Sequence, residues 1–79
     1  MRYKIKHPMA DQMSVVNHSL AYAGENTSEL AFFHRGEWIV RPIPEFAKYH
    51  DGTPEDHDSA VYPWVPNREI EKFLERYGA

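Results

Sequence analysis

Leu30-Ala31-Phe32-Phe33-His34-Arg35-Gly36-Glu37-Trp38-Ile39-Val40 is the stretch on which the fold turns. Strand-forming residues flank Arg35-Gly36 on both sides, so the segment reads as a β-hairpin over 29–41. A two-residue loop needs positive φ at its first central position, which suits arginine poorly. A three-residue loop, in which a type I turn is followed by Gly36 in the left-handed conformation, suits these residues better and pairs Phe33 with Glu37. In that register Leu30, Phe32, Trp38 and Val40 line one face, and Ala31, Phe33, Glu37, Ile39 and Arg41 the other. The sheet then has one committed core face and one mixed face.

What covers the core face is legible further along the chain. Ile70, Phe73, Leu74 and Tyr77 recur at i, i+3, i+4 and i+7, the spacing of an apolar helical stripe. Asn67 suits an N-cap, Glu69 and Glu71 lie near the positive helix start, Arg76 falls in the last turn, and Gly78 supplies a stop. The predicted fold class is therefore α+β. A small antiparallel sheet built on the 29–41 hairpin packs its Leu30/Phe32/Trp38/Val40 face against a C-terminal helix of about 67–77, within a single domain spanning 1–79.

Toward the N-terminus, residues 2–7 alternate as a strand, and His7-Pro8 ends it because proline cannot continue a ladder. The alternation puts Arg2, Lys4 and Lys6 on one side and Tyr3 and Ile5 on the other. The basic stripe reads as an edge guarded by charge in preference to a phosphate-binding strip. The next segment carries two patterns. Met9, Met13, Val16, Leu20 and Ala23 have helical spacing between Pro8 at N1 and Gly24 at C′. Ser14-Val15-Val16-Asn17-His18-Ser19 are weak helix formers, however, and Val16, His18, Leu20 and Tyr22 alternate. The compromise is a second helix within 9–20 with an extended exit through 21–23.

Gly24-Glu25-Asn26-Thr27-Ser28 is turn chemistry, and Pro42 and Pro44 end the hairpin. Pro44 also pre-sets φ for a short helix at Glu45-Phe46-Ala47-Lys48-Tyr49. The stretch 50–60 is acidic and without apolar period, and reads as a mobile loop. Tyr62, Trp64 and Val65, flanked by Pro63 and Pro66, suit the edge of the core and not a central strand.

Composition narrows the function classes. Seventy-nine residues make a domain whose single core supplies about 3–5 kcal/mol. With no cysteine, disulfides, thiolate metal sites and a thiol nucleophile are excluded. No apolar run reaches the length of a membrane span, and Met1-Arg2-Tyr3-Lys4-Ile5-Lys6 leads into no signal-peptide core, so a cytoplasmic protein is expected. Without secretion the triplets Asn17-His18-Ser19 and Asn26-Thr27-Ser28 are polar turns and not glycosylation sites. A net charge of −3 disfavours general nucleic-acid binding, which leaves contact through Arg2, Lys4 and Lys6 as the nucleic-acid alternative.

Catalytic constellations are missing. None of Ser14, Ser19, Ser28 and Ser59 has the frame of an activated nucleophile, and the four glycines are too scattered for a phosphate loop. His50, Asp56, His57 and Asp58 have the chemistry of a zinc or manganese site, without the spacing of an established one. His34, at the hairpin tip beside Arg35, reads as a surface histidine. The expectation is a protein with neither enzymatic activity nor cofactor.

Aromatics are the remaining signal, with two Trp, five Tyr and four Phe. One helix and a small sheet cannot hide them all, and exposed Trp, Tyr and Arg are the usual anchors of protein interfaces. Phe33, Arg35, Tyr49, Asp56, Asp58, Tyr62 and Trp64 are the predicted interface residues. Glu45, Asp51, Glu55, Asp56 and Asp58 would steer that surface toward a larger protein with a basic surface. The same surplus predicts a two-fold homodimer through Trp64, Tyr62 or the Phe33/Ile39 face, the alternative being a monomer whose aromatics pack beneath 42–66.

The run Glu29-Leu30-Ala31-Phe32-Phe33-His34-Arg35-Gly36-Glu37-Trp38, followed by Val61-Tyr62-Pro63-Trp64-Val65-Pro66 and a short final helix, resembles small phage- or prophage-borne accessory proteins. These include anti-CRISPR and other anti-defence inhibitors. The resemblance implies a protein of the host cytoplasm that binds and blocks a host protein by occlusion, without catalysis. It assigns no functional residue.

Overall fold

A computed structural model of the chain describes residues 1–17, 24–51 and 60–79. In chain order these form β1 (Arg2–Lys4), β2 (Gln12–Val16), β3 (Thr27–His34), β4 (Glu37–Trp38), a 3₁₀ helix (Pro44–Tyr49), β5 (Tyr62–Pro66) and α1 (Asn67–Tyr77). All strand pairings are antiparallel. β1 pairs with β2 and β2 with β3, while the other edge of β3 is shared by β4 near its C-terminal end and β5 near its start. The α+β architecture of a small antiparallel sheet and a C-terminal helix is present as the sequence predicts, with the helix at 67–77.

The second helix expected within 9–20 is instead strand β2 over residues 12–16. Its register, Met13 opposite Phe32 and Val15 opposite Leu30, puts the fully buried Met13 on the core face. A helix there would have left the edge of β3 opposite β4 and β5 without a partner; tertiary pairing overrides the helical spacing.

The hairpin also corrects its predicted register. Phe33 pairs with Trp38 and His34 with Glu37, so the loop holds two residues and not three. Arg35 (φ 51°) and Gly36 (φ 82°) are both left-handed, as in a type I′ turn. The left-handed backbone costs arginine about 1–2 kcal/mol. The gain is a register in which Ile39, whose amide bonds to Phe32 O at 2.8 Å, packs on the core, and Asp11 Oδ2 receives the Arg35 amide at 2.9 Å. A one-residue shift exchanges the faces. Trp38 thereby leaves the predicted core face and joins Phe33 on the opposite one.

The core joins Ile5, Met13, Leu30 and Phe32 of the sheet to Ile43 and Phe46 around the 3₁₀ helix, Tyr62 and Val65 of β5, and Ile70 and Phe73 of α1. Phe32 is its hub, with ring centroids 5.3 Å from Tyr62, 5.8 Å from Phe73 and 6.0 Å from Phe46. Ile43, Phe46, Ala60, Tyr62 and Val65 of the described parts of 42–66 are thus core material, and Tyr62 is fully buried, not exposed. Its hydroxyl accepts the Ile43 amide proton at 2.9 Å, and burial raises the phenol pKa.

α1 ends differ from expectation in detail. Asn67 is the first helical residue and makes no cap; its Oδ1 accepts a hydrogen bond from the buried Ser28 hydroxyl at 2.6 Å, tying the helix start to β3. Gly78 is not left-handed (φ −60°). It is needed for closeness, because a Cβ there would lie 2.5 Å from Leu74 O. The tail then runs along the outer edge of β1, with Lys6 N bonded to Tyr77 O and Ala79 N to Lys4 O.

Candidate functional site

The sheet presents one face to α1 and the other away from it. Across the strands this open face runs Arg2, Ser14 and Ala31 in one row and Lys4, Gln12, Phe33 and Trp38 in the next. Cross-strand neighbours on one face are in contact range, and they are used here. The Trp38 ring lies 5.4 Å from Phe33, and the Arg2 guanidinium sits 4.2 Å above the Phe33 ring centre with one N–H bonded to Gln12 Oε1 at 3.1 Å. Phe33 is thereby 9% exposed, so the surface is made by the groups that cover it, Arg2 and the 41% exposed Trp38. The Trp38 indole N–H is held by Ala60 O at 2.8 Å.

Trp64 reaches the surface by another route. Ser28 pairs with Val65 and Leu30 with Tyr62, so two steps of β3 oppose three of β5. This β-bulge lets both Tyr62 and Val65 face the core and turns the Pro63-Trp64 pair outward. Trp64 takes the left-handed conformation (φ 50°) and is 55% exposed. Its Cδ1 lies about 4 Å from where a Cβ on Gly24 would stand, beside the Gly24–Thr27 turn in which Thr27 Oγ1 receives the Gly24 amide at 2.7 Å. The bulge is stiffened by proline at 63 and 66, neither of which can donate to a further strand.

A second polar cluster stitches α1 to the rest of the chain. Nδ1 of His7, whose side chain is 4% exposed, receives the Met9 amide at 3.0 Å. That leaves the proton on Nε2 to be donated to Glu45 Oε1 at 3.0 Å, while the Tyr77 hydroxyl donates to Glu45 Oε2 at 2.6 Å. Desolvation raises the Glu45 pKa, but hydrogen bonds from Tyr77, its own backbone and His7 outweigh it and hold the carboxyl below its ordinary value. The hydrogen bond to Glu45 raises the Tyr77 phenol pKa. Tyr49 donates similarly to Glu69, which is also near Lys48, and that bond raises its own pKa. An open groove lies between these pairs over Phe46 and Phe73. Both His7 nitrogens are engaged, so the arrangement fastens elements together and offers no poised base.

The predicted site residues divide accordingly. Trp64 and Arg35 are exposed, Phe33 is covered, Tyr62 is interior, and Tyr49 is half-buried and spent on Glu69. Asp56 and Asp58, with Glu55, lie outside the described residues, as does His57 of the proposed metal set. The remaining member, His50, donates from Nε2 to Val40 O at 2.9 Å and packs edge-on to Tyr62. Among the described residues no group of three His, Asp or Glu side chains could hold a metal ion, and no helix is long and apolar enough to cross a membrane. Of the acidic residues expected to steer a partner, Glu45 is on the α1 side and Asp51 sits at a backbone bridge to Val61.

Sequence reasoning missed Trp38, which it placed in the core through the loop-length error. Arg2 was on the right face by alternation, but its stacking on Phe33 depends on β1 and β3 flanking β2, which no local pattern reveals. No protein family, curated protein or solved structure matches the chain.

Proposed function

We propose that this chain is a non-enzymatic protein-binding module that inhibits or regulates a larger protein by occlusion, docking through the open face of its sheet. The observation that carries the reading is Trp64. A bulky residue in left-handed backbone costs about 1–3 kcal/mol; the bulge that seats Tyr62 and Val65 in the core uses that backbone but has no need of an indole, which stays 55% exposed. Strain held at an exposed aromatic is the arrangement expected of a contact residue. Trp38, Arg2 and Lys4 extend the same face. A host defence protein is the target class that the likeness to phage accessory proteins suggests.

The test uses the intact chain as bait in extracts of its native host, beside Trp64→Gly and Trp38→Ala. Glycine accepts the left-handed backbone, so Trp64→Gly is expected to unfold within about 1 kcal/mol of the parent. A protein retained by the parent and lost by both folded variants supports the reading. Equal retention by all three, or turnover of a small substrate by the purified chain, overturns it.

A further inference from the structure

We infer that the open face carries a built carboxylate-binding position at Arg2, so that the partner it fits presents an acidic side chain or strip, not a basic one. This rests on the protein-binding reading above and specifies its chemistry. A guanidinium has five N–H donors in a planar fork. At Arg2 the guanidinium carbon lies 4.2 Å above the Phe33 ring centre, Nη1 is steadied by one bond to Gln12, and the residue is exposed, so further donors are open to a ligand. The ion pairs given by the structure join His7 to Glu45, His34 to Asp11 and Lys48 to Glu69, and Arg2 enters none of these three.

Arg2 therefore differs from an ordinary surface arginine. Its side-chain entropy is already reduced by stacking, so less is lost when a carboxylate forms two parallel bonds with it. The position also has neighbours suited to an interface. Lys4 stands beside it along β1, and Trp38 flanks Phe33 on the far side. An aromatic-backed arginine beside a half-exposed tryptophan has the composition of an interface hot spot. Glu29 is the acidic residue on this face of β3, opposite Val16 in the row beside that of Arg2, Ser14 and Ala31, and it is engaged in an interaction of its own. Phosphate would meet the same donors, but nucleic-acid affinity comes from neutralising many phosphates at once, and the cations placed on this face are Arg2 and Lys4, so a protein carboxylate, which needs one bidentate partner, is favoured.

Blocked hexaglutamate, hexaglutamine and hexathymidylate serve as probes, titrated into the full chain at low salt while the Trp38 indole N–H and the Phe33 ring are followed by NMR. Hexaglutamate is expected to shift both signals saturably and hexaglutamine neither. Arg2→Gln should weaken the response about tenfold, in line with loss of a charge-assisted bidentate contact, and Arg2→Lys should also weaken it because the planar fork is gone. Both variants change an exposed side chain, and an unchanged circular dichroism spectrum verifies their fold. No shift with hexaglutamate, an undiminished shift in Arg2→Gln, or tighter binding of hexathymidylate overturns the inference. If Arg2→Gln still captures a Trp64-dependent partner at full strength, the docking face stands and the carboxylate position falls. Hexaglutamate binding that needs Arg2, with no Trp64-dependent partner, would uphold the carboxylate position and remove the larger reading.

Discussion

The two faces of the sheet use aromatic residues in opposite ways. On the α1 side Phe32, Phe46, Tyr62 and Phe73 form one cluster of stacked, tilted and edge-on rings, each 5% exposed or less. On the open side Phe33 lies beneath an arginine with Trp38 of the short β4 against it, and Trp64 stands on a strained bulge. Burial alone explains the first group. In the second, Arg2 covers Phe33, Ala60 O holds the Trp38 indole and the bulge turns Trp64 outward, and the difference is measurable because the two groups should respond differently to truncation.

The largest effect belongs to the α1 side. Phe32→Ala or Phe73→Ala should cost about 3–5 kcal/mol, enough to unfold a domain of this size, as read by thermal or urea unfolding. A loss below about 1 kcal/mol at either position would mean that the cluster is not the core. Tyr62→Phe keeps the ring and removes the acceptor of the buried Ile43 amide, so it should cost about 1–3 kcal/mol. An unchanged unfolding midpoint would show that the hydroxyl is not needed there.

Titration gives a smaller and differently shaped signal on the same side. The folded pKa of Glu45 is lowered, so its contribution is fully present above the ordinary carboxylate pKa and is lost as pH falls through the folded value. The folded pKa of Tyr77 is raised, so its contribution is present below the ordinary phenol pKa and is lost as pH rises through the folded value. Stability should thus plateau across neutral pH. Glu45→Gln should flatten the acid limb, and an acid limb identical to the parent's would detach this pair from the linkage.

How much of this was legible follows from which interactions are local. The α1 stripe and the short helix after Pro44 depend on spacing within one element, and both are where their patterns put them. β2 and the hairpin register depend on partners far along the chain. The helical spacing of Met9, Met13 and Val16 coexists with alternation, and only β3, which needs an edge partner, decides between them. The hairpin error had a cause too. Arginine in left-handed backbone is disfavoured, and the rule against it is overruled by the fit of Ile39 to the core. Trp64 escaped for the same reason: its exposure was expected from crowding, whereas the bulge that produces it is visible only once β5 pairs with β3.

Arg35 offers the smallest effect and the sharpest contrast with Trp64, since both are bulky, exposed and left-handed. At the first central position of a type I′ turn before glycine, asparagine is the preferred residue. Arg35→Asn keeps the backbone amide that Asp11 accepts and relieves part of the strain, so it should stabilise the chain by about 0.5–1 kcal/mol. The readout is a higher denaturant midpoint at unchanged slope. Capture of the partner by the folded variant then separates two roles for the tip. Undiminished capture would limit the contact surface to Arg2, Trp38 and Trp64. Weaker capture by a more stable protein would show that arginine is kept at this position for contact, as proposed for Trp64, and would extend the docking face from the bulge to the end of the hairpin.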